Sequence, residues 1–245
     1  MTELTNLKAY NVSAYVAEIY DQTETQTEDV RLLRELIADL GQLWILEPFC
    51  GNGRILIPLA QDGHEVIGMD KSNPMLESAN RKLQQLRETV HSKVRLSDAD
   101  VLDTPWPGDL DLVILGANCF YELPTAESQE RCIHRASESL RPGGHLFLDN
   151  DHMEGELEPT WCKAGIERNR FPTGTCHDGT YVQGTTETIW FDTAKRLVRF
   201  RRSVKITPRD GETWEREWIE QKHPPSTGEM REWLSRYGFE ILHLW

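Results

Sequence analysis

Glu47-Pro48-Phe49-Cys50-Gly51-Asn52-Gly53-Arg54 follows the apolar run Leu43-Trp44-Ile45-Leu46 and opens a helical stretch from about Arg54 to Ala60. A buried strand that feeds a glycine turn and then a helix is the opening unit of a βαβ sheet. Glycines let a ligand approach the backbone, and the helix that follows offers free N–H groups at its start. Two positions narrow the ligand. A dinucleotide motif needs a third glycine at position 56, where this chain has Leu56. An acidic Glu47 at the strand end is a poor neighbour for a pyrophosphate and suits a ligand with an ammonium group.

The pattern extends outward on both sides. Residues 28–40 place Val30, Leu32, Leu33, Leu36, Ile37 and Leu40 at near-helical spacing, with Gly41 as a cap. Val66-Ile67-Gly68-Met69 reads as a second strand ending at Asp70, followed by a helix from about Pro74 to Glu88. Val94-Arg95-Leu96 and the run 110–115 read as strands three and four, 126–139 as a helix, and Arg141-Pro142-Gly143-Gly144 as the turn into strand 145–148. Such alternation with short loops predicts an α/β, doubly wound, mostly parallel sheet. After Asn150 the chain turns polar and Gly-rich to about residue 180. Strand-like runs near 181–191, 197–207 and 212–221 then predict an antiparallel β cap inserted after strand five. Ser226-Thr227-Gly228-Glu229 looks like a capping box for a helix through Arg236, and Phe239 to Leu244 predicts a last strand.

Composition bounds the function. The 245 residues hold 38% hydrophobic and 27% charged positions, an ordinary globular mixture, with a formal net charge of −13. An acidic chain argues against unaided nucleic-acid binding and suits a cationic ligand. No apolar run approaches the length of a membrane span and the N-terminus lacks the marks of a signal peptide, so a cytoplasmic enzyme without membrane partners is expected. Cys50, Cys119, Cys132, Cys162 and Cys176 are odd in number and form no CxxC pair, so neither a disulfide framework nor a metal site is expected.

Four segments in order resemble one family: Glu47-Pro48-x-Cys50-Gly51-Asn52-Gly53-Arg54, then Gly63-His64-x-Val66-x-Gly68-x-Asp70-x-Ser72-x-x-Met75-Leu76, then Asp100-Val101-Leu102-Asp103, then Leu140-Arg141-Pro142-Gly143-Gly144. From about Tyr15 to Gly144, with a weaker echo at 229–241, the chain resembles the class I S-adenosylmethionine-dependent methyltransferases that act on small molecules. The resemblance implies a Rossmann-like core, S-adenosylmethionine as cofactor, and methyl transfer to nitrogen or oxygen of a small-molecule acceptor by direct displacement. Action on RNA or protein, or donor binding without catalysis, are the alternatives. It implies that Glu47 and the backbone around Gly51 hold the methionine portion, with Gly53 turning the chain beneath it. Asp70 would take the ribose hydroxyls, with Met69 and Lys71 beside the adenine. Asp100, ahead of its competitor Asp98, would accept the adenine amino group, and Val101 would donate from its backbone. Asn118 would line the transfer cleft. The segment 15–21 resembles a helical lid over the donor, with Tyr20 nearest to it. The expected division is then 1–150 for core and lid, 151–222 for the cap, and 223–245 for a helix and strand completing the core.

Other features read more plainly. Asp111 is expected to be structural, and Asp70, ending a strand at the cleft, is expected to be dispensable for folding. Asn118-Cys119-Phe120-Tyr121 lacks the prolines of the Asn-Pro-Pro-Tyr loop of DNA amino-methyltransferases and reads as cleft lining. Lys195, Arg196, Arg199, Arg201, Arg202 and Lys205 read as one solvated face of a strand, or more sharply as a clamp for an anionic acceptor. His152, Trp161, Trp190, Trp218 and His223 are candidates for touching the acceptor or for the core, and no spacing singles out a catalytic base.

Overall fold

In the computed structural model, which describes residues 8–150 and 157–244, two helices come first: α1 (Ala14–Thr23) and α2 (Glu28–Ile37). The core follows as β1 (Trp44–Pro48), α3 (Leu56–Gln61), β2 (Glu65–Asp70), α4 (Asn73–Gln84), α5 (Glu88–His91), β3 (Val94–Asp98), β4 (Leu110–Leu115), α6 (Ala126–Ser139) and β5 (Leu140–Leu148). A second sheet holds β6 (Glu167–Thr175), β7 (Tyr181–Asp192), β8 (Leu197–Thr207) and β9 (Trp214–Lys222), and α7 (Thr227–Arg236) returns to the core.

The first sheet has the order β3-β2-β1-β4-β5 with every pairing parallel. The chain starts in the centre, winds outward to β3, then crosses to β4 on the other side of β1. That reversal opens a crevice at the carboxyl ends of β1 and β4. Alternate residues of the central strands face opposite layers. Ile45, Leu112 and Ile114 pack against Val30 and Leu33 of α2 and Leu56 and Leu59 of α3. Leu46, Val113 and Leu115 pack against Ile133 and Ala136 of α6 and Trp233 of α7. The second sheet, in the order β6-β7-β8-β9, is antiparallel and lies after β5 in the chain, as its turn residues predict.

The N-terminal helix is bound into that second sheet. Val16 and Ile19 share a core with Val182, Val204, Ile206 and Trp218. Asp21 on its other side accepts from Ser78 Oγ at 2.9 Å and from Asn52 and Lys82. The lid is thus a wedge between α4 and the second sheet.

Several expectations need correction. The helix of 28–40 ends at Ile37, and Leu40 is 44% exposed. The helix of 74–88 breaks into α4 and α5. The Arg141–Gly144 turn sits inside a longer β5, where the pairing with β4 slips between Leu110 and Leu112. The stretch read as polar loop contains β6, an edge strand whose Arg168 and Arg170 hide any apolar alternation. No strand forms at Phe239–Leu244: after Gly238, at φ +81°, Phe239 turns back to bond Leu234, and Ile241, Leu242 and Leu244 are exposed. The capping box holds, with Ser226 and Glu229 each accepting from the other's backbone N–H. No helix among the described residues is long and apolar enough to cross a membrane.

Asp111 is structural. Its carboxylate accepts from Trp44 N at 2.6 Å at the start of β1 and pairs with Arg141. The first bond satisfies a half-buried backbone donor, whereas Arg141 is 52% exposed. Asp111→Ala should therefore lower unfolding stability by about 1–3 kcal/mol. Arg141→Ala should cost less than about 1 kcal/mol because its pair is open to solvent. Urea denaturation of the two variants checks the order.

Candidate functional site

The turn after β1 is a left-handed knot of backbone. Phe49, Gly51 and Gly53 take φ values of +65°, +51° and +78°. Cys50 N donates to Met69 O at 3.0 Å and Gly53 N to Cys50 O at 2.9 Å. A Cβ on Gly53 would stand 2.8 Å from Ile57 Cδ1, so only glycine lets α3 close under the turn. Asp70 holds the arrangement from the end of β2: one carboxylate oxygen accepts from Gly51 N and the other from Ser72 N, both at 2.8 Å. Asp70 is therefore also tied into the backbone of the turn. Burial raises its carboxyl to about 6, against the pull of those two N–H groups.

A cavity of about 550 Å³ opens above this turn at the crevice between β1 and β4. Tyr20, Glu47, Gly51, Asp70, Lys71, Asp100, Val101 and Asn118 line it. Glu47 is 4% exposed and its Oε2 has no hydrogen-bond partner. Burial pushes its carboxyl well above the usual range, with Arg54 opposing. Asp100 accepts from Leu102 N at 2.9 Å and from Lys71 Nζ at 3.0 Å. Asp98 is exposed on β3 and does not line the cavity, so the geometry favours Asp100. Asn118 stands at the cleft in a left-handed conformation, its N–H on Asp149 O at 3.2 Å. Two of the ten positions fall elsewhere. Gly53 lies beneath the turn, as its role implies. Met69 points into the core at 3% exposure, because alternation along β2 turns it toward the α6 layer; only its carbonyl serves the turn.

A second cavity, of about 490 Å³, lies under the inner face of the second sheet. Lys8, Tyr10, Tyr20, Glu122, Glu220 and Lys222 line both cavities and form the passage between them. There Glu220, 4% exposed, faces Lys8 at 3.5 Å, Arg202 at 3.3 Å and Lys222 at 3.4 Å. Burial works against its charge, yet Lys222, Lys8 and Arg202 together hold its carboxyl well below the usual carboxylate range. The rings of Tyr10, Tyr20 and Phe171 meet here at centroid distances of 5.5–5.9 Å. Sequence reading missed Lys8, Tyr10, Glu122, Glu220 and Lys222. They come from three separate segments, and only the strand alternation of β9 hinted that Glu220 points inward.

The basic run divides by that alternation. Arg201 pairs on the outer face with Glu187 and Glu217, and Arg199 lies over the exposed Trp190 ring and bonds Gln221. Arg202 alone of the run lines the second cavity. Trp161 lines it too, edge-on to Tyr121 and Phe200, while Trp218 is core and His223 is buried against Gln129 and Glu229. His152 lies outside the described residues.

Known proteins share this geometry. Residues 45–144 match the model of a methyltransferase domain. An uncharacterized methyltransferase of Geobacillus kaustophilus (strain HTA426) is 30% identical over 150 residues, 57% of this chain and 66% of that protein. The chain spans less than two thirds of the length of the curated relatives it matches. A crystal structure of an S-adenosylmethionine-dependent methyltransferase from Clostridium acetobutylicum ATCC 824 superposes with a TM-score of 0.70 at 17% identity, covering 96% of this chain and 90% of that one. A sugar N-methyltransferase from Streptoalloteichus sp ATCC 53650 gives 0.68 at 17% identity, covering 92% and 84%. The core thus carries a match to a methyltransferase domain, and across cap and lid the chain shares the fold of S-adenosylmethionine-dependent methyltransferases.

Proposed function

We propose that this chain transfers a methyl group from S-adenosylmethionine to nitrogen or oxygen of a small-molecule acceptor. The observation that carries the reading is the pair of adjoining cavities, about 550 and 490 Å³, with a common wall of six residues. Each has the size of a small-ligand site. A protein that only bound the donor would have no use for the second. The sugar N-methyltransferase that shares the fold acts, by its name, on a small molecule.

The first cavity fits the donor. Glu47 offers a buried, unpartnered carboxylate oxygen, which suits an ammonium group. The backbone at Gly51 closes on the same end, over the turn made possible by Gly53. Asp70 keeps its carboxylate at the cavity wall for ribose hydroxyls. Lys71, Asp100 and the backbone of Val101 form the adenine end. Tyr20 stands at the passage, Asn118 lines the first cavity, and Met69 drops out as a contact. Residues 1–150 then serve the donor, the 151–222 segment shapes the acceptor side, and 223–245 packs α7 onto the core.

When bound, S-adenosylmethionine supplies a methyl group on a sulfonium, already a good leaving group. The chain's own residues therefore need to align the acceptor and keep water out. The Tyr10, Tyr20 and Phe171 rings close the passage with apolar edges, and α1 roofs it.

Asp70→Ala should weaken S-adenosylhomocysteine binding by about 1–3 kcal/mol through lost charge-assisted hydrogen bonds. It should also lower the melting temperature, because Gly51 and Ser72 lose their acceptor. Calorimetry and thermal unfolding on the same variant read the two effects; unchanged affinity in a folded variant refutes the ribose assignment.

The acidity of Asp70 adds a pH signature. Its carboxyl, raised to about 6 by burial, binds a proton in the free protein as pH falls through that value. The ionised form is the better acceptor, so affinity is full above about 6 and declines below it, by up to about tenfold per pH unit for one group. The same raised value makes the ligand-free fold lose stability as pH rises from about 4 to 6, since the native state then holds the extra proton. S-adenosylhomocysteine titrations from pH 5 to 8 check the first sign, and a flat profile contradicts it.

A further inference from the structure

Directly paired residues of neighbouring antiparallel strands lie on one face of a sheet. Arg168 of β6 pairs with Thr186 of β7, Thr186 with Arg202 of β8, and Arg202 with Trp218 of β9. The four side chains form one row across the inner face of the second sheet. Each carries a buried atom with no hydrogen-bond partner in the protein: Arg168 Nε, Thr186 Oγ1, Arg202 Nε and Trp218 Nε1. All four atoms can donate, and buried donors without acceptors are rare in folded proteins. Arg168, Thr186 and Arg202 line the second cavity, and Thr186 is 6% exposed.

The guanidinium groups are fixed by their other nitrogens. Arg168 donates to Thr160 O and to Thr188 Oγ1, and Arg202 donates to Phe171 O at 2.8 Å and to Glu220 at 3.3 Å. Their Nε atoms are the donors left without an acceptor in the protein. The wall beside the row is aromatic, with Trp161 and Phe200 ring to ring at 5.3 Å. Five cationic side chains face four carboxylates among the described residues of the cavity, one positive charge in excess, inside a chain of net charge −13.

The geometry points to an anion subsite on this row that takes the carboxylate of the methyl acceptor. Calling the ligand an acceptor rests on the methyl-transfer reading; the subsite itself rests on the row. A carboxylate supplies acceptors only, which is what the row lacks. Its single charge matches the single excess cation, where a phosphate dianion would overshoot. The aromatic wall suits an apolar or planar body attached to that carboxylate.

The test uses acid and amide pairs of the same shape: benzoate and benzamide, 3-phenylpropanoate and its amide, hexanoate and its amide. Each is titrated by calorimetry into the full chain, with and without saturating S-adenosylhomocysteine, beside inorganic phosphate. At least one acid should bind about tenfold or more tightly than its amide. Thr186→Val removes a hydroxyl that has no protein partner and keeps the shape, so its melting temperature should hold while the acid preference falls to near parity. Arg168→Met should lose the preference as well. The proposal is overturned if no acid exceeds its amide, if the preference survives both substitutions, or if phosphate binds better than every acid. An acid preference without any S-adenosylhomocysteine binding would uphold the subsite and refute the donor assignment.

Discussion

Two hydrogen bonds to one carboxylate organise the turn after β1 and the cavity above it. Asp70 leaves β2 and takes the N–H of Gly51 with one oxygen and that of Ser72 with the other. The first bond fixes a turn in which three residues have positive φ, a conformation that L side chains resist. The second sets the entry to α4. From there the constraint spreads: Ser72 Oγ donates to Tyr10 O at 2.8 Å, and α4 carries Ser78 and Lys82 to Asp21 on α1. A buried carboxylate is costly unless its oxygens are satisfied. Here the satisfaction and the shaping of the cleft are the same two bonds.

Charge is distributed by depth. The exterior is strongly acidic, yet the passage between the cavities gathers Lys8, Arg202 and Lys222 around one buried Glu220. Removing Glu220 would leave three cations crowded in a site of low solvent access. Removing one cation would leave the carboxylate still paired. The cluster is therefore asymmetric: its anion is indispensable and each cation is partly redundant.

The core was legible because its signals are local. Alternating buried runs, the glycines at 51 and 53, the acids at 47, 70 and 100 and the cap at 226 all act within a few residues of themselves. Met69 was misplaced by the parity of a strand, which sequence neighbours share but side-chain directions do not. β6 escaped because its inward residues are Arg168 and Arg170, so a buried-facing strand reads as a polar loop. The tail at 239–244 alternates like a strand, yet a strand needs a partner edge, and the turn at Gly238 leads the chain away from one. The passage residues were illegible for a different reason: positions 8, 10, 122, 220 and 222 meet only through the topology.

The wedge formed by α1 carries a consequence for assembly. Its contacts with the second sheet close very long loops; Cys176 reaches Tyr15 across 161 positions. The central parallel sheet closes much shorter ones. Loop closure must precede the reward of the contacts it allows, so long-range docking comes late in folding. The roof over the second cavity is therefore the part of the fold whose closure costs the most chain entropy. A sub-global opening there would expose the second cavity while the turn after β1 stays formed. Such an opening would give access to that cavity without disturbing the βα core.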